Sequence, residues 1–236
     1  MTQDIAQDIA LIVGVGPGLG AALGRRFAKA GARVALASRR LAPVQAIAAE
    51  FGAGAYACDA TDEGSVLDLY AAVERDCGAA PNIVVYNASG RVRGSVTDIS
   101  VDAFREAWER GCLGGFIVGR EAAKRMLPQG RGTILFTGAT ASVKSYGQSA
   151  GFAVGKFGLR ALSFAMARDY GPQGLHVAHV VIDGGIHGPH HATEGDKPEH
   201  HLLEPDAIAE TYYQLHAQHR SAWAAEIDVR PWVERF

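Results

Sequence analysis

A glycine-rich turn directly after a short apolar run most constrains how this chain folds. The run Ile9–Val13 is uninterrupted, and the turn 14–20 that follows it holds four glycines. Such a run is typical of a strand buried on both faces of a parallel sheet. Residues 19–30 then have the apolar spacing of an amphipathic helix. Because glycines let the backbone approach a pyrophosphate and a helix N-terminus attracts it, we predict a strand–turn–helix unit that binds a dinucleotide.

The alternation of strand and helix continues along the chain. Apolar runs predict strands at 33–38, 54–58, 83–87, 133–137, 176–182 and 225–229, and helical spacing predicts helices at 41–51, 63–76, 102–126, 151–170 and 205–217. This order predicts an α/β fold, a Rossmann-type doubly wound parallel sheet with helices on both faces. The length, with no repeat or linker, predicts a single domain over 1–236.

Composition and charge exclude several classes of protein. The net charge of −2 argues against a nucleic-acid partner, because duplex binding needs clustered Lys and Arg. The apolar stretch Ile9–Val15 is far too short to span a bilayer, so we expect no membrane partner. Three scattered cysteines form no disulfide framework or metal spacing. We therefore expect a soluble, cytoplasmic protein.

The end of the second predicted strand indicates which dinucleotide is bound. An acidic residue there would bind the ribose 2′-hydroxyl of NAD(H), whereas this chain has Ser38-Arg39-Arg40. A hydroxyl and two guanidinium groups suit a 2′-phosphate, which takes bidentate contacts from arginine. The sequence therefore favours NADP(H) over NAD(H), with an exposed basic helix start as the alternative.

Five motifs, in order, resemble those of the short-chain dehydrogenase/reductase family over nearly the whole chain. They are Gly14-x-x-x-Gly18-x-Gly20, Asp59 after the third strand, Asn87-Ala88-Ser89-Gly90, the segment 155–159 around Lys156, and the turn 182–186. The resemblance implies a nucleotide cofactor and a small-molecule substrate. With the residues above, it predicts this cofactor-binding set: Gly14, Gly16, Pro17, Gly18, Leu19, Gly20, Ser38, Arg39, Arg40, Asp59, Ala60, Asn87, Ala88, Ser89, Lys156, Gly184 and Ile186.

Most of the catalytic residues that the resemblance implies are replaced. The proton-donating Tyr of the family corresponds to Phe152, its partner Ser to Ala139, and its supporting Asn to a position near Cys112, so that Lys156 alone remains. In the turn 182–186 the family's Pro is Asp183. A positioned acid is commonly worth about 10²–10⁴-fold in rate. The sequence therefore supports cofactor binding more firmly than the usual carbonyl reduction.

Several nearby side chains could supply the missing proton. Tyr146, Ser142 and Thr140 lie in the loop that carries the missing Ser, and each has packing or backbone capping as its alternative role. His187 follows the turn 182–186, and a histidine is a credible proton donor, with a solvated loop histidine as its alternative role. Asp183 could supply a proton too, or cap a turn. The predicted catalytic set is Lys156, Tyr146, Ser142 and His187.

A histidine-rich stretch lies within a short variable lid at about 185–204. Its ligand types suit zinc or nickel, but the spacing of the histidines fits no closed four-ligand pattern: His187, His190, His191, His200 and His201. We therefore predict a polar lid and no metal site.

Two functions stay open at this point. One is an NADP(H)-dependent oxidoreductase that reduces a small carbonyl, imine or activated alkene with an atypical proton donor. The other is a catalytically inactive dinucleotide-binding protein, a sensor or a partner subunit, which the replacements at 112, 139 and 152 motivate.

The resemblance also implies a homodimer or homotetramer. The helix predicted at 151–170 has small residues on one side, at Ala153, Ala161 and Ala165, and in the family this helix packs against a partner subunit. Ordinary packing on the sheet is the alternative role of these alanines.

Overall fold

A computed structural model describes residues 8–188 and 198–234, and its strands there form one sheet. The strands are β1 (Ile9–Val13), β2 (Arg33–Ser38), β3 (Gly54–Ala57), β4 (Ile83–Tyr86), β5 (Gly132–Thr137), β6 (Leu175–Ile182) and β7 (Glu226–Val229). All pairs are parallel, in the order β3-β2-β1-β4-β5-β6-β7. The chain reverses direction across the sheet between β1 and β4, where open α/β sheets bind ligands. The predicted doubly wound parallel sheet is confirmed.

The helices that connect the strands cover both faces of this sheet. They are α1 (Leu19–Lys29), α2 (Leu41–Ala49), α3 (Glu63–Cys77), α4 (Val101–Trp108), α5 (Gly114–Met126), α6 (Ala150–Tyr170) and α7 (Pro205–His216). Apart from the stretch 102–126, the predicted boundaries agree with these to within two residues. Within the described ranges, no helix has the length and apolar character needed to cross a membrane.

The stretch 102–126 is not the single helix that its spacing predicts. A π-helical turn, Glu109–Leu113, separates α4 from α5. Within this turn the Arg110 carbonyl accepts a hydrogen bond from the Tyr86 hydroxyl at 2.6 Å. A Cβ at Gly111 would lie 3.1 Å from the Cα of Gly155, so α6 packs directly on the backbone here. These contacts from the sheet and from α6 accompany the local change of helical winding.

Two apolar cores lie on opposite faces of the sheet. Residues of α1, α2 and α7 pack on one face, and residues of α3, α5 and α6 pack on the other. Strand β1 supplies both: Ala10 and Ile12 point to the first core, whereas Leu11 and Val13 point to the second. This burial on both faces explains why β1 is apolar without interruption.

A buried polar network closes the sheet at the amino ends of its strands. His216 of α7 lies between Asp8 and Thr133: its Nε2 is 3.2 Å from an Asp8 carboxylate oxygen and its Nδ1 is 2.9 Å from the Thr133 hydroxyl. The Asn82 amide donates to the same carboxylate. Burial opposes ionisation of Asp8, but the bonds from His216 and Asn82 outweigh it and hold the pKa of this carboxyl below its usual value. The network therefore joins α7 to three strands, opposite the edge that carries the candidate site.

Candidate active site

The glycine turn and the loop after β4 meet at the carboxyl edge of the sheet. Gly14 has φ +93°, and a Cβ there would overlap the backbone of Ala88. The Asn87 side-chain amide donates to the Gly14 carbonyl oxygen at 2.9 Å. The N–H groups of Gly14 and Val15 both donate to the Ala37 carbonyl oxygen of β2. The turn is therefore fixed from both neighbouring strands, and its first glycine has a structural role.

The middle of the glycine turn faces open space. A Cβ at Gly16 or Gly18 would meet nothing within 4 Å, although both residues line a cleft. Gly18 precedes α1, and no side chain forms a capping bond there. Backbone N–H groups at such a helix start, with the partial positive charge of the helix, suit an anion such as a pyrophosphate. These glycines therefore fit a nucleotide cofactor.

Two adjoining clefts share Gly14, Asn87 and Ser89 in their linings. The first has a volume of about 500 Å³, and the second about 810 Å³. Every residue of the predicted cofactor-binding set lines one of them. The first cleft adds Ser38, Arg39, Arg40, Asp59, Ala60 and Ala88, and the second adds Gly16, Pro17, Gly18, Leu19, Gly20, Lys156, Gly184 and Ile186.

The first cleft combines arginines with one carboxylate. Arg39 and Arg40 are exposed at the end of β2. Asp59 accepts hydrogen bonds from the N–H of Thr61 at 3.0 Å and from its hydroxyl at 2.8 Å. Burial opposes ionisation of Asp59, but these bonds and the charges of Arg39 and Arg110 hold its pKa below the usual value. The Asp59 carboxylate is thus ionised and fixed in place at neutral pH.

Lys156 lies at the inner end of the second cleft. Its side chain extends from α6, is 2% exposed, and donates from Nζ to the Thr137 carbonyl oxygen at 2.6 Å. Burial lowers the pKa of Lys156 to about 8, and the charge of Arg91 contributes in the same direction. The ammonium group is therefore mostly protonated at pH 7 yet close to titration.

Phe152 and Ala139 line the second cleft without a hydroxyl or acid. In place of a polar partner, the guanidinium carbon of Arg91 lies 4.7 Å from the centroid of the Phe152 ring. The Ala139 N–H donates to the Ser142 hydroxyl at 3.1 Å. This wall of the cleft therefore has a cation where the sequence comparison expected a proton donor.

The structure separates the side chains that were predicted to supply a proton. Ser142 is fully buried, and its hydroxyl caps its own loop. Tyr146 is 58% exposed on the surface of the same loop. Among the described residues that line the second cleft, neither is present. His187 does line it, with Nδ1 3.3 Å from a Glu204 carboxylate oxygen. The structure thus brings together Lys156 and His187 and leaves Ser142 and Tyr146 outside.

Thr140 and Asp183 bind each other beside the cleft. The Thr140 hydroxyl donates to an Asp183 carboxylate oxygen at 2.6 Å, and Arg230 lies 3.7 Å from the other oxygen. Both side chains are therefore engaged in joining the loop after β5 to the turn after β6.

The lid predicted at 185–204 is described only at its two ends. Ile186 pairs with Leu203 in a parallel bridge, and the His187 N–H donates to the Leu203 carbonyl oxygen at 2.9 Å. His190 and His191 lie outside the described residues. In the described part of the chain, no three side chains of the metal-binding types form a cluster.

The described residues show two arginines that the sequence prediction missed. Arg91 lines the second cleft and Arg110 lines the first. Arg91 lies in the loop 87–94, which follows β4 at the edge of the sheet where ligands bind, so its position pointed to the site. No sequence feature predicted the position of Arg110, because the π-helical turn Glu109–Leu113 places this residue in the cleft.

Comparison with known proteins identifies the family of this chain. A family model for short chain dehydrogenases matches residues 8–199. The chain belongs to the short-chain dehydrogenase family. The resemblance carried by the five motifs is therefore confirmed, and the family is one of oxidoreductases that use a nucleotide cofactor.

Members of this family resemble the chain in sequence and structure. An "Inactive 2-(S)-hydroxypropyl-CoM dehydrogenase 2" of Xanthobacter autotrophicus is 32% identical over 69% of this chain and 70% of its own. A 3-oxoacyl-[acyl-carrier-protein] reductase of Bos taurus is 28% identical over 69% of each chain. A crystal structure of a short-chain dehydrogenase from Rhodopseudomonas palustris has a TM-score of 0.82 and 34% identity, covering 96% of this chain and 99% of its own.

Proposed function

We propose that this short-chain dehydrogenase is an NADP(H)-dependent oxidoreductase that reduces a small carbonyl, imine or activated alkene with an atypical proton donor. The observation that carries the proposal is the pair of adjoining clefts, which runs from Arg39 past the glycine turn to Lys156. NADP(H) suits such a lining: cations for the 2′-phosphate at one end, a helix start for the pyrophosphate in the middle, and a proton-bearing side chain at the other end.

Arg39 and Arg40 support NADP(H) over NAD(H). Both are exposed at the end of β2 and line the first cleft, where a 2′-phosphate would take charge-assisted bonds. Asp59, which lies in the same cleft, directs its Oδ1 to Thr61 and so stays close to its own loop. The arginines therefore set the charge at the end of β2.

We propose Lys156 as the proton source. Bound NADPH would supply a hydride, and the oxygen or nitrogen that gains electron density then needs a proton. Lys156 lines the cleft and has a pKa of about 8. One N–H of its ammonium group is hydrogen-bonded to the Thr137 carbonyl oxygen, and the others stay available to a substrate. An acid with a pKa near the working pH transfers its proton efficiently. His187, which contacts Glu204, is a second side chain among the described lining of this cleft that could donate a proton.

A dinucleotide-binding protein without turnover is the second candidate function. Phe152 and Ala139 carry no proton to give, and the relative from Xanthobacter autotrophicus carries the word "Inactive" in its name. In such a protein the clefts would hold the cofactor and no hydride would leave it.

The two functions differ in whether NADPH is consumed. We would follow NADPH absorbance with a panel of diketones, quinones and imines, using the wild type, Lys156→Met and Lys144→Met. Lys144 is an exposed lysine of the neighbouring loop and serves as the matched control. The oxidoreductase predicts consumption with a panel member that Lys156→Met abolishes and Lys144→Met retains.

Tight NADPH binding without consumption would instead support the second function. The double variant Phe152→Tyr/Ala139→Ser tests why the protein would be inactive. If this variant gained reductase activity, the residues at these two positions would be the cause of the inactivity. If neither NADPH nor NADH bound, both functions would be wrong.

We also propose a homodimer or homotetramer and a cytoplasmic location. Exposed apolar side chains follow one side of α6, at Val154 and Phe157, and the exposed Ala161 and Ala165 continue that row. Ala153, which was grouped with these alanines, is buried against the molecule's own core. Light scattering tests the oligomer, and a monomer at micromolar concentration would contradict it.

A further inference from the structure

Arg91 is a cation in the second cleft that the proposed hydride transfer does not use. It lines the cleft from the loop after β4, and its guanidinium lies against the Phe152 ring. In the part of the chain that the structure describes, no carboxylate pairs with it. A guanidinium stacked on an aromatic ring keeps its N–H edge available for a ligand.

The loop on either side of Arg91 is packed closely. A Cβ at Gly90 would lie 2.6 Å from the Ala107 carbonyl oxygen, so α4 touches the backbone there. Val92 occupies the space that a side chain at Gly151 of α6 would need. The Gly94 N–H donates to the Gln148 carbonyl oxygen at 3.2 Å. The backbone that presents Arg91 is therefore fixed by two helices and a neighbouring loop.

The charges that face Arg91 favour an anion. The described lining of the second cleft holds no Asp or Glu, and Lys156 provides a second positive charge whose pKa Arg91 lowers. His187 is paired with Glu204, so that carboxylate is directed to the histidine. Two like charges in one cleft are stabilised when a ligand brings an opposite charge between them.

The cofactor phosphates have other places to bind. The start of α1 suits the pyrophosphate, and Arg39 with Arg40 suits the 2′-phosphate in the first cleft. Phe152, the ring under Arg91, occupies the position of the family's proton donor and so marks the substrate end. An anion at Arg91 would therefore belong to the substrate.

We infer that the substrate is a small carbonyl compound that carries an anionic oxyacid group, such as a carboxylate, and that Arg91 binds this group. The inference rests on the proposed function for the site, because it takes the second cleft as the substrate end. The guanidinium fork matches the two oxygens of a carboxylate, which would orient the carbonyl carbon in the cleft.

Matched pairs of acid and ester test this inference. Pyruvate, levulinate and their methyl esters would be titrated calorimetrically into the protein with and without saturating NADP⁺. The variants are Arg91→Ala and, as control, Arg93→Ala, which removes an exposed arginine of the same loop that lies outside the lining. We expect an acid to bind more tightly than its ester, and Arg91→Ala to weaken acid binding about 10- to 100-fold. Arg93→Ala should leave both unchanged.

Equal binding of acids and esters, or equal effects of the two variants, would overturn the inference. Because calorimetry detects binding without turnover, an enzyme that consumes no NADPH still reports on Arg91. A failure of NADP⁺ to bind would refute the proposed function, while the titration without cofactor would still compare the two arginines.

Discussion

The side-chain amide of Asn87 is bonded to the carbonyl oxygen of Gly14 at 2.9 Å, across the point where the strand order reverses. This bond joins the loop after β4 to the turn after β1. Its two residues are shared by both clefts, so the shape of the proposed cofactor site depends on it.

Replacing Asn87 with Ala should loosen the glycine turn. Loss of a part-buried hydrogen bond of this kind costs about 1 kcal/mol, so NADPH affinity should fall about fivefold or more. Fluorescence titration measures this, with Gln129→Ala as control, because that exposed amide donates to the Arg125 carbonyl far from the clefts. Unchanged affinity in Asn87→Ala would show that the bond does not shape the site.

The glycines of the turn should divide into two classes. Gly14→Ala is expected to destabilise the fold by more than about 2 kcal/mol, because its φ is +93° and a Cβ would overlap Ala88. Gly18→Ala has room for its methyl group and should fold normally but bind NADPH more weakly. Urea unfolding and NADPH titration of both variants would reveal this pattern, and its reversal would contradict the roles assigned here.

The pH dependence of reduction should follow the protonation of Lys156. A donor with a pKa of about 8 is protonated below that value, so kcat/KM for reduction should fall as pH rises through about 8. Arg91→Ala removes a charge that lowers this pKa, so the fall should move to higher pH. A profile that is flat from pH 7 to 9 in the wild type would exclude Lys156 as the proton source.

Asp8 should stabilise the fold in a pH-dependent way. Its folded pKa lies below the ordinary value, so its contribution is present above pH 4 and is lost as pH falls through the folded pKa. Asp8→Asn should cost about 2 kcal/mol at pH 7, because it replaces one buried carboxylate oxygen, which is bonded to Asn82 or His216, with an amide N–H. The cost should shrink in acid.

Asp206→Asn is the matched control for Asp8. Asp206 is a largely exposed partner of Arg25, and such surface pairs contribute about 0–1 kcal/mol. Equal urea midpoints for the wild type and Asp8→Asn at pH 7 would refute the structural role of the network.

The sequence was sufficient for the sheet and for the residues around the glycine turn. Buried parallel strands are apolar runs, and the loops after them meet at one edge, so Gly14 could be placed from the strand pattern. Asn87 and Lys156 were placed by the resemblance of their motifs to those of the family. Two of the predicted proton donors, Ser142 and Tyr146, were placed wrongly. Ser142 and Tyr146 lie in a loop whose path decides which side chains turn inward, and local sequence does not encode that path. The contact of Arg91 with Phe152 joins two separate elements and needed the packing of α6.

The affinities of the protein for NADPH and NADH test the central claim most directly. Titrations of the wild type, Arg39→Ala/Arg40→Ala and the distant control Arg105→Ala would measure both. We predict that the wild type binds NADPH more tightly than NADH, that the double variant loses about 10- to 100-fold of NADPH affinity, and that the control keeps it. Binding of neither dinucleotide, or tighter binding of NADH, would contradict the account.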